Sequence, residues 1–492
     1  MKQFERFAEC LKRILQEQKV SVTEVAKAVG FKSRNSLFRI LNDQTSYDVE
    51  HTFLKNLRQS GIVELSENEW NKLEESLEIS RVGISNYVSN QAIRNQLLLP
   101  KPKNDDFVCA SLGDEPEEIS LHELMQRYID SREVELHIFC CCHPAFCRTV
   151  AQVLSETKPD CNLAVYQYIF AGEKEIVANM MSIQPLLYMD CYKAYMLEPD
   201  TCPPETETVL RNNSTIVHYV DHQGEHHWEY LILVNSQRIV RSVMGDDRLY
   251  NMVRSLMAED APVKHLVKSE FNNLCHSVED YMNYTENLRL LERNCAIMSL
   301  KPDIPINFVH PDVLVAPIME GLHEMGAGDD DDVAQLIRQL YDIHLQRYEN
   351  FINKKKVTHT VFSRSAMESF AKTGKQSDHF YAQRPYTVSE RHQILTALRE
   401  QACNNPYFWV YFINDEVAAH QAEITLYEGR GTMFVQADTG YHLGGDHNEA
   451  LINNADLNMK LKNFFLKDLL PNYVLSYQEN IAILDELIRM LE

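Results

Sequence analysis

No uninterrupted apolar run in this chain approaches roughly 18 residues, so the sequence offers nothing to span a membrane. The opening stretch, MKQFERFAECLKRILQEQ, is charged and amphipathic and lacks the apolar core of a secretory signal. A cytoplasmic location is the expectation. Catalytic signatures are missing as well: there is no GxSxG, HExxH or kinase motif. The glycine-bearing "TGYHLGGDHNEA" (His442, Gly444, Gly445, Asp446, His447) has neither GxGxxG spacing nor a Walker lysine. No second CxxC or HxxxH pair accompanies the cysteines to complete a zinc site. These absences weigh against an enzyme and predict no bound cofactor and no structural metal. Fixed-period repeats and low-complexity segments are also absent.

What is present is a globular composition: 492 residues, 45% hydrophobic and 24% charged, long enough for two to four domains. Twelve cysteines are scattered along it, three of them adjacent (Cys140, Cys141, Cys142), which fits reduced thiols better than a disulfide framework. The formal net charge is −23, but it is unevenly spread. Residues 1–60 hold 11 Lys/Arg against 7 Asp/Glu, a local +4. A basic head on an acidic body permits local phosphate contact while the body repels nucleic acid.

The head reads as five short helices. Phe4, Phe7, Leu11, Ile14 and Leu15 make a helical stripe. Ser21 with Glu24 forms a capping box for a second helix ending at Gly30. Ser33 can cap a third, with Leu37, Ile40 and Leu41 inward. A fourth carries Val49, Phe53, Leu54 and Leu57, and Ser66 with Glu69 caps a fifth bearing Trp70, Leu73 and Leu77. The stretches "VTEVAKAVGF" and "SLFRILNDQTSYDVEHTFLKNL" resemble the helix-turn-helix domain of the Cro/CI (XRE-like) family of phage and bacterial regulators. Ala26 and Gly30 match that motif's small residue and turn glycine, and Leu37 and Ile40 match the residues that anchor the recognition helix. The resemblance covers roughly the first 65 residues. It implies double-stranded DNA as partner, with Lys32, Ser33, Arg34, Asn35 and Arg39 left for the groove and the phosphates.

Two prolines in "LLLPKPKNDDF" mark a linker, giving a head over 1–95 and a linker over 96–106. The body then reads as α/β (α+β), with a sensor domain expected over 107–300 and a C-terminal domain over 301–492, alternatively continuous with it. Ser120 and Glu123 cap a helix with Leu121, Leu124, Met125, Tyr128 and Ile129 inward. "VELHIFCCC", "AFCRTVAQVLSET" and "NLAVYQYIF" read as a β-α-β unit, which implies parallel pairing. "STIVHYVDHQGEHHWEYLILVN" reads as a hairpin turning at Gln223-Gly224. Further helices are expected around 173–187, from 245 to 300, from 330 to 353 and from about 456. "YFWVYFIND" and "AEITLYEGRGTMFVQA" suggest strands between them.

Three features of the body carry chemistry. "CCCHPAFC" places thiols at a strand end entering a helix, which makes Cys142, His143 and Cys147 the candidate effector-binding residues, with strand packing as the plainer explanation. His218, His222, His226 and His227 flank the hairpin turn. Asp329 to Asp332 lack the alternation of a calcium loop and suit a helix's first turn. The expectation is a mixed fold, an all-α helix-turn-helix head before a large α/β body. The function expected is that of a homodimeric, sequence-specific transcriptional regulator, bacterial or phage in origin. Its body senses a small-molecule or protein effector. The alternatives are a thiol-dependent enzyme carrying a DNA-targeting head and a helical adaptor that touches no DNA.

Overall fold

In the computed structural model the described residues are 5–97, 107–112, 117–139, 144–156, 162–170, 191–197, 213–235, 238–244, 247–248, 250–251, 264–265, 278–301, 309–324, 331–353, 355–375, 384–413, 422–436 and 449–492, with single residues 183, 186, 189, 304 and 326. They divide into two compact units, Met1–Gln91 and Ala92–Glu492.

The first unit holds α1 (Phe7–Glu17), α2 (Val22–Ala28), α3 (Arg34–Leu41), α4 (Tyr47–Ser60) and α5 (Glu67–Val82); α6 (Ile84–Leu97) starts in it and ends, from Ala92 on, in the second. The sixth helix is additional to the expected five. Gly83, at φ 82°, separates it from α5. The capping boxes form as read: Ser21 and Ser66 accept from the backbone N–H of Glu24 and Glu69, whose carboxylates accept from the serine backbone in return. Phe7, Leu11, Ile14, Leu37, Ile40, Phe53, Leu57 and Leu73 meet in one apolar cluster. Val49 is a correction, being 43% exposed. Glu50 instead sits at the centre of the inward stripe set by Phe53, Leu54 and Leu57, and Thr45 donates to its carboxylate at 2.7 Å. Burial raises the Glu50 pKa.

The second unit is mixed α/β. Its strands are β1 (Val108–Ser111), β2 (Glu118–Ser120), β3 (Glu133–Phe139), β4 (Asn162–Phe170), β5 (Tyr192–Leu197), β6 (Ser214–Val220), β7 (His226–Asn235), β8 (Arg238–Val243) and β9 (Lys264–His265), forming among the described residues one sheet in the order β2-β1-β8-β7-β6-β3-β4-β5-β9. A second sheet follows from β10 (Ile297–Lys301), β11 (Thr358–Phe362), β12 (Phe408–Phe412), β13 (Ala422–Tyr427), β14 (Gly431–Gln436) and β15 (Glu449–Ile452), in the order β12-β11-β10-β13-β14-β15. Helices α7 (Leu121–Ile129) and α8 (Pro144–Glu156) accompany the first sheet. The second is accompanied by α9 (Val278–Glu292), α10 (Pro311–Glu324), α11 (Asp331–Ile352), α12 (Arg364–Thr373), α13 (Val388–Asn404), α14 (Ala455–Phe464) and α15 (Tyr477–Arg489). A π-helical stretch, Phe465–Leu469, extends α14.

The two sheets repeat one topology. In the first, β3 pairs in parallel with β4 and β4 with β5, while β6 joins the free side of β3 antiparallel and β7 and β8 continue antiparallel. In the second, β10, β11 and β12 are parallel, β13 joins β10 antiparallel, and β14 and β15 continue. The sequence shows no periodicity because the connections differ: among the described residues α8 joins β3 to β4, whereas α10 and α11 join β10 to β11. Apolar side chains from both sheets enter one cluster, among them Val134, Leu136, Ile138, Met298, Leu300 and Val361. The division expected at residue 300 falls inside β10.

The β-α-β unit, the hairpin, α7, α11 and strands β12 to β14 lie where the sequence put them. Residues 245–300 are less helical than expected, since β10 ends that span. Ile297 to Leu300 are buried on both faces, so this central strand shows no alternation to read. The expected helix over 173–187 and the linker residues 98–106 lie outside the described residues, apart from Ile183 and Leu186.

Arg94, late in α6, grips Asp468 of the π-helical stretch across 374 residues of sequence, with its Nε 2.6 Å from Oδ2. Asp468 is fully buried. Asn472 donates to it at 3.0 Å, and the Arg94 guanidinium lies over the Tyr473 ring. Removing one partner strands a buried charge, which costs about 3–5 kcal/mol. Arg94→Ala is therefore expected to lower the denaturant-derived stability of the second unit by that amount. Arg238→Ala, which breaks an exposed pair with Glu118, should change it by less than about 1 kcal/mol.

Candidate nucleic-acid interface

Ala26 and Val25 of α2 and Leu37, Ile40 and Leu41 of α3 are buried, and they hold the two helices against α1 and α4. Three successive helices end on the same device. Beyond α1, α2 and α3, Lys19, Gly30 and Asp43 take positive φ values of 54°, 82° and 54°. The next residue's N–H then bonds back five positions: Val20 to Leu15, Phe31 to Ala26 and Gln44 to Arg39, at 2.8 to 3.1 Å. Glycine takes that conformation freely, whereas Asp43 and Lys19 take it at about 1 kcal/mol each. These tight stops fix where α3 begins and which face it turns outward.

Lys32, Ser33, Arg34, Asn35 and Arg39 are all exposed. Ser33 is the N-cap residue of α3, but its hydroxyl accepts no cap hydrogen bond. With Leu37 and Ile40 at the core, the most outward positions of α3 are Asn35, Phe38, Arg39 and Asn42, spaced i, i+3, i+4 and i+7. Phe38, 43% exposed, and Asn42 were missed from the sequence. The clue was there, since both lie opposite the Leu37/Ile40 stripe on a helical wheel.

Charge is sorted by pairing. Arg13 binds Glu5 and Glu17, Arg58 binds Glu67 and Glu74, and Arg81 binds Glu78. Among the described residues, Lys32, Arg34 and Arg39 make no ion pair; Arg39 reaches only the Gln44 carbonyl at 3.4 Å. The positive head extends only to residue 60. Residues 61–91 add 2 basic and 6 acidic groups, which makes Met1–Gln91 neutral overall. Lys32, Arg34 and Arg39 are among its unpaired cations and lie at or on α3. A short surface of cations, amides and one aromatic ring is chemically suited to phosphates and base edges.

Neither the protein-family models nor the curated proteins match this chain. The geometry alone therefore carries the functional reading.

In the body, Cys142 and His143 lie outside the described residues. Cys147 lies on α8, fully buried within the cluster shared by the two sheets. Burial pushes its thiol up to about 12, against smaller opposing effects from Arg148 and a hydrogen bond with Gln167. At neutral pH it is a protonated core thiol that packs and presents no sulfur to solvent. The hairpin histidines form pairs: His218 Nε2 is 3.0 Å from His226 Nδ1, and His227 Nε2 is 3.0 Å from Asp221. Among the described residues no three His, Cys, Asp or Glu side chains converge to hold a metal. Asp331 and Asp332 open α11, as first-turn acids do.

The other face of β3, β4 and β5 carries a layer of polar aromatics that the sequence did not announce. His137 stacks on Tyr166 at 5.0 Å, Tyr168 on Tyr195 at 5.7 Å, and Tyr250 closes on His137 edge-on. Tyr250 donates to Glu135 Oε2 at 2.6 Å, His137 Nε2 lies 3.4 Å from the same oxygen, and His137 Nδ1 lies 3.1 Å from the Tyr168 hydroxyl. The alternations Glu135-x-His137 and Tyr166-x-Tyr168 were visible, but only the parallel register of β3 and β4 brings them side by side.

Thiol accessibility tests the placement of Cys147. Brief treatment of the native protein with an alkylating reagent should modify the exposed Cys403 and spare Cys147 until the chain is unfolded, as read by peptide mass analysis. Rapid native labelling of Cys147 would contradict its burial.

Proposed function

We propose that this protein is a sequence-specific DNA-binding regulator whose first unit inserts α3 into the major groove. The observation that carries the reading is the outward stripe of α3: exposed side chains able to read bases, flanked by cations that no carboxylate neutralises. Asn35 and Arg39 are the two base readers, since an amide and a guanidinium make paired hydrogen bonds to adenine and guanine respectively. Lys32, Arg34 and the uncapped Ser33 lie at the start of α3, where backbone N–H groups also face outward, and they take the phosphates.

An eight-residue helix covers few base pairs, which supports a homodimer reading two half-sites about one DNA turn apart. The acidic second unit serves as the sensor. Its polar-aromatic layer of Glu135, His137, Tyr166 and Tyr250, built partly on β3, the strand that precedes Cys142 and His143 in sequence, is the effector site this reading favours. Effector binding regulates only if its affinity differs between DNA-competent and incompetent states. Work on chromosomal or phage DNA places the protein in the cytoplasm. No helix among the described residues is long and apolar enough to cross a membrane. The buried state of Cys147 removes one thiol from the competing enzyme reading.

Selection from a randomised duplex pool with the full chain should enrich a defined, two-fold-related sequence. On that sequence Asn35→Ala and Arg39→Ala are each expected to weaken specific binding by about 1–3 kcal/mol, while Lys32→Ala and Arg34→Ala weaken all duplexes alike. No enrichment of any sequence would remove the proposal.

A further inference from the structure

Phe38 is the one large apolar side chain on the outward stripe of α3. Leu37, Ile40 and Leu41 already fill the inward face at 0%, 0% and 5% exposure, and Phe38 takes no part in their cluster at 43%. Its neighbours on the stripe are polar: Asn35 lies one turn before it, Arg39 beside it and Asn42 one turn after. An aromatic ring set among groups suited to base edges needs an apolar partner in the groove. The floor of the major groove offers essentially one such group in unmodified DNA, the 5-methyl of thymine.

We infer that Phe38 packs against the 5-methyl group of a thymine in each half-site and is a specificity-determining residue of this protein. The inference rests on the DNA reading above and extends it to a thymine subsite bounded by the bases that Asn35 and Arg39 contact. Because Phe38 lies outside the core, its side chain is available to the ligand without any rearrangement of α3.

The test uses the full chain and the duplex it selects, with each thymine of the half-site replaced in turn by deoxyuridine, which removes only the methyl group. At one position the replacement should raise Kd about fourfold, the equivalent of one buried methylene-sized group at about 0.8 kcal/mol. For Phe38→Ala the same replacement should change Kd by less than 1.5-fold, and Phe38→Leu should retain part of the sensitivity. Phe38→Ala should melt close to the parent protein, because the ring contributes little to the core. Three results would overturn the inference: a selected half-site with no thymine, a native protein indifferent to every methyl, or full methyl sensitivity surviving in Phe38→Ala. Failure to select any sequence is a different result, which overturns the DNA reading itself and this subsite with it.

Discussion

Val134, Leu136 and Ile138 of β3 and Met298, Leu300 and Val361 of β10 and β11 project into a single apolar cluster, together with residues of α7, α8, α14 and the π-helical stretch. That shared burial is the constraint on which the rest of the second unit depends. Each sheet commits one face to it, so the chemistry of the remaining faces is decided by what covers them. On the second sheet, Phe362, Phe408, Val410 and Phe412 face a second cluster, built from α10, α12, α13 and α15. On the first, the face opposite the core carries Glu135, His137 and Tyr168 in a hydrogen-bonded array, with Tyr166 stacked on His137. The shared strand order thus carries different outer faces, one covered by apolar helices and one bearing titratable side chains. The Arg94–Asp468 pair ties the end of α6 into the same assembly.

Electrostatics gives the first unit its character by subtraction. Its basic and acidic groups balance, and the remaining 401 residues carry the whole net charge of −23. Arg13, Arg58 and Arg81 are engaged by carboxylates, whereas Lys32, Arg34 and Arg39 make no ion pair among the described residues. Surface charges separated by more than about 8 Å are largely screened at physiological salt. On the proposed reading, Lys32 and Arg34 act on a phosphate held within that distance.

Much of this was legible in the chain. Capping boxes at Ser21 and Ser66 announced α2 and α5, and the alternation around Gln223-Gly224 announced β6 and β7. Each of these signals is local, written within a few residues. What stayed hidden was either enclosed on both faces or set by distant partners. Ile297 to Leu300 form a strand with no polar face, and Asp468 looks like a helix-surface acid until Arg94 meets it. Glu50 displaced Val49 because the inward stripe of α4 is centred one residue further along than the apolar pattern suggested. The exposure of Phe38 was implicit in the periodicity of α3, but it gained meaning only when its polar neighbours were seen to share its face.

The claim that unpaired cations of the first unit bind DNA is tested most directly by the salt dependence of affinity. Each phosphate neutralised contributes a slope of about −0.9 in log K against log salt. A full-length chain carrying Lys32→Gln and Arg34→Gln together should show a slope shallower than the parent by about 2 per protomer, with its melting behaviour unchanged. Equal slopes for the two proteins, or an affinity of the parent for duplex DNA that does not change with salt, would contradict the account.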